Sequence, residues 1–392
     1  MSDDAPTDKP APHAETVLAQ AGVGEDCGHG AIAPPLYLSS TYLWDDPDKK
    51  PAYDYGRSRT PTRSVLETLL AELEGGGGAL VCATGMAAIG LPLDRLPAGA
   101  KIVAPHDCYG GTYRLLAAHA DKGRFEVRFL DQTTEEALRA ARDFAPDLIY
   151  LETPSNPLMR ITDLSRWTAL AKEIGALTLA DNTFLSPILQ RPLEWGCDMV
   201  VHSTTKYING HTDIIGGALI TKDPELASEL AWWANATGVT GASFDSYMTL
   251  RGARTLSLRV HRAQATAGQI ADALVGHPAV VGLNYPGLGS HPQHALIRRQ
   301  QKGPGAMMSF DLAPSIDPRA FLAGLEVFTP AASLGGFESL VCIPAIMTHA
   351  GMTPAARAAA GLGDRLVRLS IGLEHPEDLL NDLTAAFARG EA

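Results

Sequence analysis

Met199-Val200-Val201-His202-Ser203-Thr204-Thr205-Lys206-Tyr207 is the stretch on which the reading of this chain turns. A short apolar run of strand length passes directly into hydroxyl residues and a lysine. Two earlier segments have the same form. Leu148-Ile149-Tyr150-Leu151 runs into Glu152-Thr153-Pro154-Ser155-Asn156-Pro157, and Leu177-Thr178-Leu179-Ala180 runs into Asp181-Asn182-Thr183. Helix-like spacing fills Leu164–Ile174 between them, and further apolar runs stand at Lys101–Ala104, Phe125–Leu130 and Gly217–Thr221. Tyr113–Ala120 and Thr134–Phe144 also read as helices. Short apolar strands alternating with helices imply an α/β fold whose mostly parallel sheet is covered on both faces. Ligands of such sheets sit beyond the carboxyl ends of the strands, where these polar residues fall.

Outward from this centre the pattern changes on both sides. Ser64–Leu73 carries apolar residues at helical spacing, and Gly75 to Gly78 end it. Ala79-Leu80-Val81-Cys82 then leads into the small-residue turn Ala83-Thr84-Gly85-Met86-Ala87-Ala88, a helix start able to bind phosphate through free N–H groups. Upstream, Gly30 to Pro61 has Pro34-Pro35, polar tyrosine-rich stretches and no helical period, so it reads as an extended arm that needs a second subunit to lie on. The first 14 or so residues read as disordered. Downstream, Asp223 to Leu274 is helical, and a smaller α+β part follows. Its expected strands are Met307–Leu312, Glu326–Thr329 and Leu366–Ile371; its expected helices are Pro318–Leu325 and Pro376–Arg389. The expected division is an arm over 1–61, a large α/β domain over 62–258 and a C-terminal α+β domain over 259–392.

Composition narrows the function classes. The chain has 392 residues, 45% of them hydrophobic and 19% charged, ordinary for a globular enzyme of two domains. Its net charge of -12 argues against nucleic acid or an anionic membrane as partner, since both need basic patches. Met1 to Pro12 lacks the apolar core of a signal or transit peptide, and no apolar run has the length of a membrane span. The five cysteines (Cys27, Cys82, Cys108, Cys197 and Cys342) are scattered without a CxxC pair, which suits reduced thiols and no metal site. The expected location is cytoplasmic.

A lysine after a run of hydroxyls at a strand end has a specific chemical use. Once partly desolvated, its amine forms a Schiff base with an aldehyde. Ser203 and Thr205 can donate to a phosphate beside Lys206, and Asp181 can keep a pyridine nitrogen protonated so that the ring accepts electrons. Each feature alone has an ordinary explanation: a solvated lysine, a helix-capping aspartate, a hydroxyl-rich turn. Their conjunction in strand order describes a pyridoxal-phosphate pocket.

From about Ala31 to Glu374 the sequence resembles the Cys/Met-metabolism family of pyridoxal-phosphate enzymes. The resemblance rests on Tyr53-Asp54-Tyr55-Gly56-Arg57, Ala83-Thr84-Gly85-Met86, Glu152 to Pro157, Asp181-Asn182-Thr183, Ser203 to Tyr207, Ser333-Leu334-Gly335-Gly336 and Arg368-Leu369-Ser370-Ile371-Gly372. It implies an aspartate-aminotransferase-like (fold type I) architecture and pyridoxal 5'-phosphate as cofactor. By the same resemblance Lys206 is the Schiff-base lysine and proton shuttle, Asp181 the partner of the pyridine nitrogen, and Tyr109 the aromatic stacked on the ring. Gly85, Met86, Ser203 and Thr205 are implied phosphate ligands, and Tyr55 with Arg57 reach the phosphate of a neighbouring subunit. Arg368, Ser333 and Asn156 are implied to clamp the substrate's α-carboxylate, with Tyr55 also at the substrate. A homotetramer built of two tight dimers with shared sites follows from the same likeness, as do small amino-acid substrates.

Within the family, Arg114 is read as a cation for a distal carboxylate, and Glu338 as an acidic position shared by the γ-acting members. Ala104 to Gly111, Asp181 to Pro187 and Ala231 to Asn235 resemble the γ-synthases. That likeness implies γ-replacement on O-succinylhomoserine by L-cysteine, yielding cystathionine and succinate. Phe337 and Ile343 to Ala350 resemble the γ-lyases as much, which keeps γ-elimination of cystathionine open. A non-catalytic cofactor-binding scaffold would be signalled by loss of Lys206, Asp181 or Arg368, and all three are present.

Overall fold

The computed structural model describes residues 11–26 and 28–391. Seven strands form the large sheet: β1 (Gly78–Cys82), β2 (Ala100–Pro105), β3 (Phe125–Leu130), β4 (Leu148–Glu152), β5 (Leu177–Asp181), β6 (Met199–His202) and β7 (Gly217–Thr221). Their order is β1-β7-β6-β5-β4-β2-β3, all parallel except β7, which is antiparallel to both its neighbours. Every residue of β4, β6 and β7 is buried, which is why these strands read as unbroken apolar runs rather than alternating ones.

Strand order explains the site. Because β6, β5, β4 and β2 are successive neighbours, their carboxyl ends place Ser203–Lys206, Asp181, Glu152–Asn156 and Tyr109 side by side along one edge. Glu152 and Asp181 are register partners at the ends of β4 and β5. The helix Gly85–Arg95 starts on the same edge, with the Thr84 side chain capping it by accepting from the Ala87 N–H at 2.9 Å. A side chain at Gly85 would press within 2.9 Å of Ser203 Cβ, so glycine is what lets this helix start approach the β6 turn.

A second sheet has five strands: β8 (Val280–Asn284), β9 (Met307–Leu312), β10 (Thr329–Pro330), β11 (Leu340–Cys342) and β12 (Leu366–Ser370). Their order is β10-β11-β12-β9-β8, antiparallel apart from β10 with β11. The expected strand Glu326–Thr329 forms only at its last residue. The Asp382 carboxylate, from the helix Pro376–Gly390, takes the N–H groups of Glu326, Val327 and Phe328 at 2.7 to 2.9 Å, so no strand neighbour receives them.

The helix Leu256–Leu274 runs through the expected 258/259 boundary and serves both cores. Leu256 and Val260 pack in the core of the large sheet, and Ala267, Ile270 and Leu274 in that of the second. The arm is not wholly extended. Residues 1–10 of its expected disordered start lie outside the described residues, but Ala14–Gln20 is a helix whose Val17 and Leu18 join the large core. Ser257 Oγ donates to Glu15 at 2.8 Å and holds that helix to its own chain. Residues 31–57 keep the exposed apolar side chains Ile32, Leu38, Leu43 and Trp44.

Candidate active site

At the shared strand edge lies a cavity of about 250 Å3. Gly85, Met86, Tyr109, Asn156, Asp181, Ser203, Thr205, Lys206 and Arg368 all line it, together with Glu152. Ser333 joins them because the Lys206 Nζ donates to its hydroxyl at 2.8 Å. Burial, and secondarily the charge of Arg368, pull the Lys206 amine down to about 8. Behind this lysine, Arg259 donates to the carbonyls of Tyr207, Ile208 and Gly252 and so fixes the turn that presents it.

Arg368 comes from β12 and is 2% exposed. It donates to Asn156 Oδ1 at 2.8 Å and to the Ser333 carbonyl at 2.9 Å, while its buried Nε has no partner. A buried guanidinium donor left free beside an amine is an anion site in the making. At the opposite end, Thr84 satisfies Ala87, and the N–H groups of Gly85 and Met86 are the first-turn donors that no helix carbonyl serves. Thr205 is engaged differently: its hydroxyl both accepts from the Gly216 N–H at 3.0 Å and donates to the Gly216 carbonyl at 3.1 Å.

Asp181 accepts from the Tyr150 hydroxyl at 3.0 Å and from the Thr183 N–H at 3.0 Å. Burial, and then Asp181 and Glu152, push the Tyr150 phenol well up, so it remains a donor. Glu152 is buried too. Burial first, and Asp181 next, raise its carboxyl well above the usual range, opposed by the backbone N–H groups of Tyr109 (2.8 Å) and Asn156 (3.1 Å) that it accepts from. Tyr150 and Glu152, like Arg259, are supporting residues that the sequence left without a role. The signals were a lone tyrosine in an aliphatic strand and a carboxylate at a fully buried strand end.

Ser333 reaches the cavity only through its bond to Lys206, and four further expected residues lie outside the cavity's lining. Tyr55 and Arg57 border a separate cleft with Arg63 and Thr240 to Ser243, and Arg57 donates to the backbone and side-chain oxygens of Asn235. Arg114 is exposed on the helix Gly110–Asp121 and lies against Gly351. Glu338 accepts from the Thr212 hydroxyl at 2.6 Å, its other carboxylate oxygen buried without a partner.

The profile of the Cys/Met metabolism PLP-dependent enzymes matches residues 15–388. The chain belongs to this family. It is 50% identical over 374 residues to the cystathionine gamma-synthase of Escherichia coli K12, covering 95% of this chain and 97% of that protein. To the cystathionine gamma-lyase of Bacillus subtilis 168 it is 41% identical over 373 residues, covering 95% and 98%. The cystathionine gamma synthase of Xanthomonas oryzae pv. oryzae, solved in complex with cystathionine, superposes with a TM-score of 0.96 at 53% identity, covering 98% of this chain and 99% of that one. The fold is therefore that of the pyridoxal-phosphate cystathionine enzymes, and the protein is a pyridoxal-phosphate enzyme. The cavity suits that cofactor: a partly desolvated amine, a strand-end carboxylate and unserved N–H groups at a helix start share one space. Among the described residues no helix is long and apolar enough to cross a membrane, and no His/Cys/Asp/Glu cluster could hold a metal ion.

Proposed function

We propose that this family member is a cystathionine γ-synthase that replaces the γ-acyl group of O-succinylhomoserine with the thiol of L-cysteine, releasing succinate. One observation carries the reading most directly: the Lys206 amine and the Arg368–Asn156 pair face one cavity, 2.8 Å separating Lys206 Nζ from Ser333 Oγ. An amine placed beside a carboxylate clamp addresses the Cα of an amino acid. Identity of 50% to a γ-synthase against 41% to a γ-lyase favours replacement over elimination.

Pyridoxal phosphate, when bound, supplies an aldehyde that joins amines and a ring that takes up the electron pair left when a Cα proton departs. The chain's own residues do the rest. Gly85, Met86 and Ser203 would hold the phosphate, and Asp181 the ring nitrogen, with Tyr109 against the ring face. Arg368 binds the α-carboxylate, which orients the Cα–H bond toward Lys206. Near its pKa of about 8 the Lys206 amine both accepts and returns protons, which suits removal at Cα, then at Cβ, and return after the thiolate has added at Cγ. Arg114 is the candidate for the distal carboxylate, on the exposed side of the helix that follows Tyr109. Tyr55 and Arg57, outside their own chain's cavity, fit a site completed by a second subunit, and a tetramer of two such dimers in the cytoplasm completes the reading.

Product analysis tests it. Purified protein with O-succinylhomoserine and cysteine should form cystathionine and succinate faster than it releases cysteine and 2-oxobutanoate from cystathionine. The reverse order of rates would establish the γ-lyase instead.

A further inference from the structure

Asn156 is held from three directions. Glu152 Oε1 accepts its backbone N–H at 3.1 Å, and Arg368 donates to its side chain at 2.8 Å. The third contact comes from the other half of the molecule, where His349 Nε2 meets the Asn156 carbonyl at 3.0 Å. His349 lies in the loop after β11 and is fully buried. A carbonyl only accepts, so Nε2 carries the proton and Nδ1 accepts from the Thr348 hydroxyl at 2.9 Å. Burial, then Arg368, draw this imidazole down to about 4, which keeps the neutral tautomer at physiological pH.

Glu152 has a second duty. Its Oε2 accepts the Tyr109 N–H at 2.8 Å, so one carboxylate spans the residue before the helix Gly110–Asp121 and the turn carrying Asn156. The loop of His349 closes on the same helix start, since a Cβ on Gly110 would stand 2.7 Å from the Thr348 carbonyl. The Asn156 N–H and carbonyl are buried with no water to turn to, so losing either brace leaves an unpaired group there.

We propose that Glu152 and His349 are positioning residues that set the Asn156 backbone from both halves of the molecule, and through it the aim of the Arg368 carboxylate clamp. His349 lies outside the cavity lining, and Glu152, which borders the cavity, has both carboxyl oxygens taken up by the Tyr109 and Asn156 N–H groups. Glu152 also fixes the spacing between Tyr109 and that clamp, so the ring face and the carboxylate site move as one unit. The proposal rests on the reading of Arg368 and Asn156 as the α-carboxylate site.

The test uses the holoenzyme in four forms: wild type, Glu152→Gln, His349→Phe and His349→Gln. Glutamine at 152 offers one acceptor where two N–H groups need one each. Phenylalanine at 349 keeps bulk without a donor, and glutamine restores one. Glu152→Gln and His349→Phe should keep the visible cofactor absorbance yet raise KM for the amino-acid substrate about tenfold, with a smaller fall in kcat. His349→Gln should recover most of that loss. Hydrogen exchange read by mass spectrometry should quicken in Glu152→Gln at the peptides holding Tyr109 and Asn156, with the remaining strands unchanged. Unchanged KM in both variants, or a KM rise in His349→Phe that glutamine does not reverse, overturns the proposal. Glycine titration followed by absorbance reports amine and carboxylate recognition without γ-chemistry. If the wild type takes up glycine but makes no cystathionine, the γ-replacement reading fails while the positioning proposal is still decided by the variants.

Discussion

The Tyr150 hydroxyl donates to Asp181 Oδ2 at 3.0 Å, from the neighbouring strand of the same sheet. Thr183 occupies the other oxygen through its N–H, so the carboxylate at the end of β5 is held on both sides before any ligand arrives. If Asp181 faces the cofactor's ring nitrogen, as proposed, a side chain held in this way needs little reorganisation there. Removing the phenol should therefore show in cofactor chemistry more than in folding. Tyr150→Phe is expected to lower stability by about 1 kcal/mol, the net worth of one hydrogen bond. It should also weaken pyridoxal-phosphate retention, measured as cofactor loss on dialysis. Retention equal to wild type would remove Tyr150 from the account.

Lys206 gives a pH dependence with a definite sign. Its amine is displaced down to about 8, chiefly by burial, and only the neutral form attacks an aldehyde. As pH rises through about 8 the neutral fraction grows. Recombination of apoenzyme with pyridoxal phosphate, followed by stopped-flow absorbance from pH 6.5 to 9.5, should accelerate up to that value and level off above it. A midpoint near the ordinary lysine value would mean the amine is more hydrated than its burial implies. Lys206→Ala should show no such absorbance change and lose at least about a thousandfold in turnover, the scale of a lost general base and nucleophile.

Arg259 is the support under this lysine. Three carbonyls share its guanidinium, from Tyr207 at 2.7 Å, Ile208 at 3.2 Å and Gly252 at 2.9 Å. Lysine lacks the planar fork that reaches all three. Arg259→Lys should cost about 2 kcal/mol of unfolding free energy in denaturant titrations, with the midpoint falling accordingly. Gly210→Ala should do worse. Gly210 has φ +69°, and an added methyl would collide with the Arg259 guanidinium. Soluble protein of wild-type stability from Gly210→Ala would contradict the turn geometry.

Subunit sharing is open to complementation. Arg57 binds Asn235 and borders a cleft apart from the cavity of its own chain. If it serves a partner's site, Lys206→Ala and Arg57→Ala proteins are each inactive alone, yet a co-refolded mixture regains activity. Random pairing into dimers should restore about a quarter of wild-type turnover, because half the dimers are mixed and each has one intact site. No recovery would place Arg57 in its own chain's function.

Much of the fold was legible in local pattern. Phe125–Leu130, Gly217–Thr221, Leu164–Ile174 and Met307–Leu312 begin and end where apolar spacing and flanking turn residues put them. Glu326–Thr329 failed because Asp382, over fifty residues away, captures the N–H groups that a strand needs. Strand β8 was missed since its residues are half exposed and carry no unbroken apolar run, and β11 since it spans Leu340–Cys342 alone. The helix Ala14–Gln20 lay between a stretch read as disordered and one read as extended, and it is held by Val17 and Leu18 packing into a distant core.

By itself the sequence determined the strand-end chemistry: Lys206 after hydroxyls, Asp181 after an apolar run, Gly85 at a helix start, each a matter of a few adjacent residues. Tertiary structure decided which of them share a cavity and which do not. Strand order β6-β5-β4-β2 lines up Lys206, Asp181, Asn156 and Tyr109, whereas Arg114, Glu338, Tyr55 and Arg57 fall outside that lining. The braces Tyr150–Asp181, Glu152–Tyr109 and His349–Asn156 join residues 31, 43 and 193 positions apart, separations over which no local propensity or spacing acts. Burial, likewise a property of the whole fold, is what brings the Lys206 amine down to about 8.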